Sequence, residues 1–122
     1  MAVAALPRRL TERSASDLAR AIRGGEVSSR EVVRAHVDRL RAVQPRLNAV
    51  AADRFEAALA EAEAADNSIA AAGEHEALPP LLGVPCTIKE SIALAGMPNS
   101  AGLLSRRDHR AAETAPAARR LF

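Results

Sequence analysis

The sequence has few of the residues that build disulfide scaffolds or large aromatic cores. It contains one cysteine and two phenylalanines, Phe55 and Phe122, and it has no tryptophan or tyrosine. A single cysteine excludes an internal disulfide and is typical of a reducing compartment. The apolar runs are shorter than a membrane-spanning helix requires, and the first arginines follow the apolar residues of the N-terminus, which is the reverse of a secretory signal. We therefore expect a cytoplasmic protein without membrane association.

An excess of charge of one sign is also lacking. The chain has 17 basic and 15 acidic residues, spread along its length, and its net charge is +2. This distribution gives no electrostatic reason to expect nucleic acid as a partner. No histidine has another histidine, cysteine or carboxylate at metal-ligand spacing, so we predict neither a metal nor another cofactor.

Large apolar side chains are scarce for a chain of 122 residues. Apolar residues make up 48% of the sequence, but 29 residues are alanine, which buries little apolar area. Such a thin core favours one part of a larger domain rather than a complete one. Near the end of the chain, Thr114 and Pro116 predict the opening of another helix. We therefore expect the chain to be the N-terminal portion of a longer protein.

Two capping boxes predict the first two helices. Residues 14–17 have the Ser-x-x-Asp form, and the helix that follows should end at residues 24–25, which are both glycine. Residues 28–31 repeat the box, and apolar residues then recur at helical spacing as far as Pro45. The pattern predicts a short helix, a glycine turn and a longer helix.

A third helix is predicted from Asp53, its candidate N-cap, to about Ala65. The segment is rich in alanine, glutamate and leucine, which are strong helix formers. Phe55, Leu59 and Ala62 fall on one face, which we expect to pack against the rest of the chain.

Two short apolar segments predict strands. Residues 47–52 lie between two predicted helices, and residues 84–88 begin within the Gly-Val-Pro sequence at residues 83–85. Strands alternating with helices indicate an α/β fold. The chain is predicted to begin with an arm (residues 1–13), a mainly helical part (14–65) and a loop (66–80). A lysine-bearing strand and turn (81–102) and the start of a next helix (103–122) follow.

The predicted second strand ends at Lys89, the single lysine of the chain. The other sixteen basic residues are arginine, so a lysine is not needed here for solubility. Unlike arginine, a lysine can become neutral on burial and then act as a base. The position of Lys89 at the end of a buried strand therefore makes it a candidate general base.

Two motifs around Lys89 resemble the first conserved block of the amidase signature family. They are Gly83-Val84-Pro85-Cys86-Thr87-Ile88-Lys89-Glu90-Ser91 and Ala95-Gly96-Met97-Pro98-Asn99-Ser100-Ala101-Gly102. Residues 14–52 resemble, more loosely, the helical segment that precedes this block in the family. The resemblance implies a mixed α/β sheet, of which this chain would supply the N-terminal helices and the first strands.

The resemblance also implies a chemistry, which is amide hydrolysis by a Ser, cis-Ser, Lys triad. Lys89 would be uncharged in the resting enzyme and would take a proton from a bridging serine, which in turn activates the attacking serine. Ser100 would line the substrate pocket. In the family an aspartate usually follows the lysine, whereas Glu90 follows it here. The Gly/Ser-rich block that carries both serines is absent from the chain, so we expect these 122 residues to be inactive alone.

Each of these residues also has a simpler explanation. Lys89 could extend from a strand end into water, or pair with a carboxylate. Cys86 lies among apolar residues without a histidine nearby in sequence, so we predict a small buried side chain rather than a nucleophile. Arg106, Arg107 and Arg110 are predicted to be solvated surface residues, with an anion site as the alternative.

The function that the sequence favours is hydrolysis of non-peptide carbon–nitrogen bonds in a small-molecule amide. The expected partner of this chain is the remainder of the amidase domain. One alternative is the amidase subunit of a tRNA-dependent amidotransferase. Another is a non-catalytic helical interaction module or an inactive relic. The oligomeric state, including a homodimer, is left open by the sequence.

Overall fold

The three longest helices of the described residues lie in the first two thirds of the chain. The structure is a computed structural model, and it describes residues 9–73 and 76–122. Within these residues the α-helices are α1, Ala15–Arg23; α2, Ser29–Leu47; α3, Phe55–Ala71; and α4, Pro116–Arg119. Single turns of 3-10 helix occur at Leu10–Glu12 and Leu104–Arg106. Most of the arm predicted at residues 1–13 lies outside the described residues.

Both predicted capping boxes are confirmed. The Ser14 hydroxyl accepts a hydrogen bond from the Asp17 N–H at 3.1 Å, and α1 follows directly. At α2 the box is reciprocal. The Ser28 hydroxyl accepts from the Glu31 N–H at 3.1 Å, and Glu31 Oε2 accepts from the Ser28 N–H at 2.9 Å. Each bond satisfies an N–H group that the first helical turn cannot pair, so these side chains fix where the helices begin.

The prediction that α2 stops at Pro45, and that residues 47–52 form a strand, is wrong. α2 continues through Pro45 to Leu47, and Asn48 ends it in the left-handed conformation with φ 46°. The side chain of Gln44 then accepts from the Val50 N–H at 3.0 Å and donates to the Val50 carbonyl at 2.9 Å. Because one side chain satisfies both backbone groups of Val50, this residue needs no strand partner.

α3 is longer than predicted and begins slightly later. It starts at Phe55 rather than at the predicted N-cap Asp53, and it extends to Ala71, through part of the predicted loop 66–80. Its last turns are held from outside the helix. The carboxylate of Asp66 accepts from the N–H groups of Ser29 and Arg30, at 2.7 and 3.0 Å. An acidic side chain at the N-terminus of α2 is favourable because it meets unpaired N–H groups and the positive end of the helix dipole.

The core consists of two small clusters of buried side chains between these helices. The first joins α2 to α3 and contains Val33, Val37, Leu59 and Ala62, with Phe55 and Ala58 packed against it. The second joins α1 to α2 and contains Leu18, Ile22 and Val32, with Leu10, Val27, Ile69 and Val84 packed against it. The predicted apolar face of α3 is therefore confirmed.

The predicted sheet is not seen in the described residues. Residues 84–88 form no strand. The one β-bridge among the described residues is antiparallel and joins Pro98 to Arg110. A strand requires a partner for its backbone N–H and C=O groups, and the described residues offer none to residues 84–88. The helical part of the predicted α/β fold is thus present without its strands.

The last helix is short. α4 covers four residues and has Ala115 rather than the predicted Thr114 as its N-cap. The Thr114 hydroxyl instead accepts from the Ala95 N–H at 3.1 Å, and this bond ties the start of the helix to the turn region. Among the helices that the structure describes, none is both long and apolar enough to cross a membrane.

Candidate functional site

The segment that leads to Lys89 is fastened to the helices. Arg23 Nη2 of α1 donates to the Pro79 carbonyl at 3.0 Å, and the Ser29 hydroxyl of α2 donates to the Gly83 carbonyl at 2.7 Å. Val84 packs against the α1–α2 cluster. Ser29 is fully buried, so its hydrogen bond with Gly83 forms away from competing water.

Gly83 is required by the closeness of this contact. A Cβ atom on residue 83 would lie 2.8 Å from the Ser29 hydroxyl oxygen and 2.9 Å from the Ser29 Cβ. The backbone φ of +82° is also in the region that L side chains rarely adopt. The first residue of the Gly-Val-Pro motif is therefore glycine because the backbone lies directly against α2.

The residues between Val84 and Lys89 are less buried than predicted. Cys86 and Thr87 are exposed, whereas Ile88 is half-buried. The prediction of a buried Cys86 is therefore wrong. The sequence pattern is apolar enough for a buried strand, but within the described residues no layer of structure covers this side of the segment.

Lys89 lies at the surface of the described structure, so the expected burial at a strand end is not observed here. Its side chain is exposed, and it makes no ion pair or hydrogen bond with another described residue. Its carbonyl accepts from the Ile92 N–H at 2.8 Å, which forms a tight turn immediately after the lysine. The backbone of Lys89 is thus held while its amine is in solvent.

Glu90 organises the turn that follows. Its two carboxylate oxygens accept hydrogen bonds from the consecutive N–H groups of Ser100 and Ala101, the second at 2.9 Å. In return, the Asn99 side-chain amide donates to the Glu90 carbonyl at 2.9 Å. The hydrogen bond from the Ser100 N–H is the main cause of a lowered pKa of the Glu90 carboxyl. The Ala101 N–H and the positive charge of Arg106 lower this pKa further.

Ser100 is therefore connected to the residue that follows Lys89. Its N–H is bound by the residue next to Lys89, and its hydroxyl accepts from the Gly102 N–H at 3.2 Å. Ala101 lies between Ser100 and Gly102 and has a left-handed φ of 53°. This backbone conformation closes the turn. Glu90 thus connects the turn that begins at Lys89 to the turn that contains Ser100. Ser100 is half-buried and Lys89 is exposed.

A short antiparallel contact supports the turn from the other side. The Gly96 N–H donates to the Ala111 carbonyl at 2.8 Å, and the Ala111 N–H donates to the Met97 carbonyl at 3.0 Å. One step further along, the Asn99 N–H donates to the His109 carbonyl at 3.0 Å. These bonds connect the Met-Pro motif to residues 109–111 and limit how far the turn can move.

The arginines after the turn are surface residues, as predicted. Arg106, Arg107 and Arg110 are all exposed, and Arg110 Nη1 donates to the Gly96 carbonyl at 2.9 Å. A shallow, open cavity of about 270 Å³ lies beside them, lined by Pro98, Arg107, Asp108, His109 and Arg110. Asp108 offsets part of the positive charge there, through an ion pair with Arg107 at 3.3 Å. Within residues 9–73 and 76–122 no group of three His, Cys, Asp or Glu side chains could hold a metal ion.

Three residues of this arrangement have roles that sequence reasoning missed. The sequence pattern places Ser29 only in a cap and Asp66 only in a loop, and it marks Glu90 only as a departure from a family pattern. The signals available in the sequence are a second serine beside a cap and an acidic residue directly after a candidate base. Neither signal identifies its partner, because each partner is 10 to 54 residues away in the chain.

Comparison with known proteins gives one consistent family. A family model described as Amidase matches residues 31–122. Over 99 residues the chain is 54% identical to fatty-acid amide hydrolase 2-A of Danio rerio, covering 78% of this chain and 19% of that protein. Over 108 residues it is 49% identical to indoleacetamide hydrolase of Bradyrhizobium diazoefficiens, covering 88% of this chain and 20% of that protein.

A relative of another kind also matches. Over 93 residues the chain is 42% identical to a glutamyl-tRNA(Gln) amidotransferase subunit of Acidothermus cellulolyticus, covering 76% of this chain and 18% of that protein. The chain thus spans about a fifth of the length of these three relatives.

Proposed function

The chain belongs to the amidase family, and we propose that it supplies the general base, Lys89, to a hydrolase that cleaves small-molecule amides. The observation that carries this proposal is the family match over residues 31–122, which includes both motifs around Lys89. Backbone contacts on both sides of Lys89 support it. Before Lys89, the hydrogen bond from the Ser29 hydroxyl to the Gly83 carbonyl holds the backbone. After it, the hydrogen bonds of the Glu90 carboxylate to residues 100 and 101 do so.

In the proposed reaction an amide and water become a carboxylic acid and an amine or ammonia. Lys89 accepts a proton from a bridging serine, which accepts one from the attacking serine, and the attacking oxygen forms an ester with the acyl carbon of the substrate. The carbon–nitrogen bond of the amide then breaks as the proton passes to the leaving nitrogen. Water hydrolyses the ester, which releases the carboxylic acid and restores the serine hydroxyl. Both serines would come from the remainder of the amidase domain, which is the partner that we propose for this chain.

The exposure of Lys89 defines what that partner must do. A lysine acts as a base when its charged form is disfavoured, and removal from water is the main way to achieve this. We propose that the remainder of the domain covers Lys89 and pairs with residues 84–88 as strands of its sheet. The exposed side chains of Leu103, Leu104 and Phe122 would be covered by the same layer. We also propose a cytoplasmic location, which the single cysteine of this chain supports.

The first test is the loss of the base. In the intact protein, Lys89→Ala and Lys89→Arg should each lower the rate of ammonia release from indoleacetamide or a fatty-acid amide by about a hundredfold or more. The arginine variant keeps the positive charge but cannot accept a proton, because a guanidinium stays protonated in proteins. It therefore separates a base from a purely electrostatic or structural lysine.

The control for this test is Arg107→Ala, which removes an exposed cation elsewhere in the same region and should leave turnover unchanged. Circular dichroism of each variant checks that the helices are intact. Wild-type turnover in Lys89→Arg would show that Lys89 is not the base.

A second candidate function is that of an amidotransferase component, which the match to the glutamyl-tRNA(Gln) amidotransferase subunit favours. Identity to that relative is lower, at 42%, than identity to the two hydrolases, at 54% and 49%. We therefore place the hydrolase first. Turnover of free amides by the purified protein alone supports the hydrolase, whereas turnover that requires a second protein and charged tRNA supports the amidotransferase.

A further inference from the structure

The contact between Glu90 and the turn of residues 99–102 is built from both sides. Two consecutive N–H groups, from Ser100 and Ala101, bind one oxygen each of the Glu90 carboxylate. The Asn99 side chain binds the Glu90 carbonyl at 2.9 Å. Consecutive N–H groups in a turn of this kind form a concave site that suits an anion. The anion here is internal, so these two N–H groups are occupied by the protein itself.

We propose that Glu90 is a positioning residue for amide hydrolysis: its carboxylate fixes the turn of residues 99–102 beside Lys89 and thereby sets where Ser100 meets the substrate. This inference rests on the proposed function, and it adds a role for a residue that would not touch the reacting atoms. The hydroxyl of Ser100 is oriented within the same turn, because it accepts from the Gly102 N–H at 3.2 Å.

The contact requires both oxygens of the Glu90 carboxylate and also its negative charge. A carboxylate has two acceptor oxygens, whereas the amide of glutamine has one acceptor oxygen and one NH₂ donor. In Glu90→Gln one of the two backbone N–H groups would therefore face a donor instead of an acceptor. The left-handed backbone of Ala101, which is unfavourable for a residue with a Cβ atom, would lose one of the bonds that hold it. Arg106 also favours the carboxylate, and its attraction is lost with the charge.

The first measurement is independent of activity. Hydrogen exchange of the Ser100 and Ala101 amides is compared in the intact wild-type protein, Glu90→Gln, Glu90→Asp and Glu113→Gln. Exchange in Glu90→Gln should be faster by about tenfold or more, because a hydrogen bond to a charged group is lost. Glu90→Asp keeps the charge on a shorter side chain and should lie between the two. Glu113→Gln removes an exposed carboxylate that makes no hydrogen bond to this turn among the described residues, and it should match the wild type.

The second measurement tests the role in turnover. Glu90→Ala should raise the KM for indoleacetamide or a fatty-acid amide by about tenfold, with a smaller change in kcat, because the pocket is displaced while the base remains. Formate is a small carboxylate that can bind the N–H groups left free in Glu90→Ala. Added formate should therefore lower the KM of this variant towards the wild-type value. It should not change the KM of the wild type or of Glu113→Gln.

Two results would overturn the inference. One is wild-type exchange at Ser100 and Ala101 in Glu90→Gln. The other is a KM in Glu90→Ala that is unchanged, or raised and insensitive to formate. Failure of the proposed function gives a different result. Wild-type turnover in Lys89→Arg would show that Lys89 is not the base, and it would leave the exchange measurement valid.

Discussion

At the scale of single residues, the position of the lysine segment depends on a buried serine and a glycine. Ser29 is fully buried in α2, where its N–H binds Asp66 and its hydroxyl binds the Gly83 carbonyl. A buried polar group without a partner is costly, so this pair of bonds determines where residue 83 can lie. Gly83 meets the requirement because it has no Cβ atom to collide with Ser29.

A substitution of this glycine tests the contact. Gly83→Ala should lower the free energy of unfolding by about 1–3 kcal/mol, because the new Cβ meets Ser29 and the backbone φ is positive. Urea denaturation of the protein measures the change. The matched control is Gly73→Ala, since no atom of the described residues lies within 4 Å of a Cβ at residue 73. It should change the free energy by no more than about 0.5 kcal/mol. Equal losses in the two variants would contradict the proposed closeness of Gly83 to α2.

Two acidic side chains each bind backbone N–H groups in another segment of the chain. Asp66 binds at the start of α2, and Glu90 binds the turn of residues 99–102. Both connect segments that are far apart in sequence. Because a carboxylate can satisfy two N–H groups at once, a single residue of this type can fix the position of a whole segment.

At the scale of elements, the reciprocal cap of α2 is the strongest local signal in the chain. Glu31 accepts from the Ser28 N–H and from the Ser28 hydroxyl, and these two bonds, the N–H first, hold the pKa of Glu31 below its usual value. A group whose pKa is lowered on folding stabilises the protein above its unfolded-state pKa. That stabilisation is lost as the pH falls through its folded-state pKa.

This linkage predicts a pH-dependent effect of one substitution. Near pH 7, Glu31→Gln should unfold at a lower urea concentration than the wild type. The difference should shrink as the pH falls below about 4.3, where the unfolded chain takes up the proton first, and it should be lost once the pH has fallen through the lowered folded-state pKa of Glu31. The variant Ser28→Ala removes the partner, and the double variant should lose less than the sum of the two single losses. A difference between Glu31→Gln and wild type that persists unchanged at about pH 3 would exclude this cap as its source.

The other elements show how contacts override local preference. α3 continues through residues 66–71 because Asp66 binds the start of α2 and Ile69 packs on the α1–α2 cluster. α2 continues through Pro45, although proline lacks the N–H that the helix interior would use. In both cases the surrounding structure provides more free energy than the local sequence pattern costs.

At the scale of the whole molecule, burial is unevenly distributed. Both apolar clusters lie among α1, α2 and α3, and the last residue that packs against them is Val84. After residue 84 the buried apolar side chains within the described residues are Ala111 and Ala118, which are small. The order of residues 85–122 therefore depends mainly on hydrogen bonds within loops, which are weaker than burial of large side chains.

This distribution predicts the pattern of hydrogen exchange. In the 122-residue chain, amides of α1, α2 and α3 should exchange at least about tenfold more slowly than those of residues 103–122. Peptide-resolved mass spectrometry measures both. When the remainder of the domain is present, protection of residues 103–122 should rise because their exposed leucines are covered. Uniform protection in the 122-residue chain would contradict this description, and so would protection that the added domain leaves unchanged.

How far the sequence could be interpreted depended on the range of the interactions involved. The caps of α1 and α2 and the apolar face of α3 were predicted correctly, because each rests on residues within one or two helical turns. The strand predictions for residues 47–52 and 84–88 failed for a different reason. A strand depends on a partner that the local pattern cannot supply.

The sequence by itself determined the starts of α1 and α2 and the family, because caps and motifs are read from adjacent residues. Only the tertiary structure showed that Ser29 binds the Gly83 backbone, that Asp66 lengthens α3 against α2, and that Glu90 binds the turn of residues 99–102. The physical reason is that a hydrogen-bond donor or acceptor in a sequence has many possible partners. Packing of the helices and closure of the turns decide which of them come within about 3 Å.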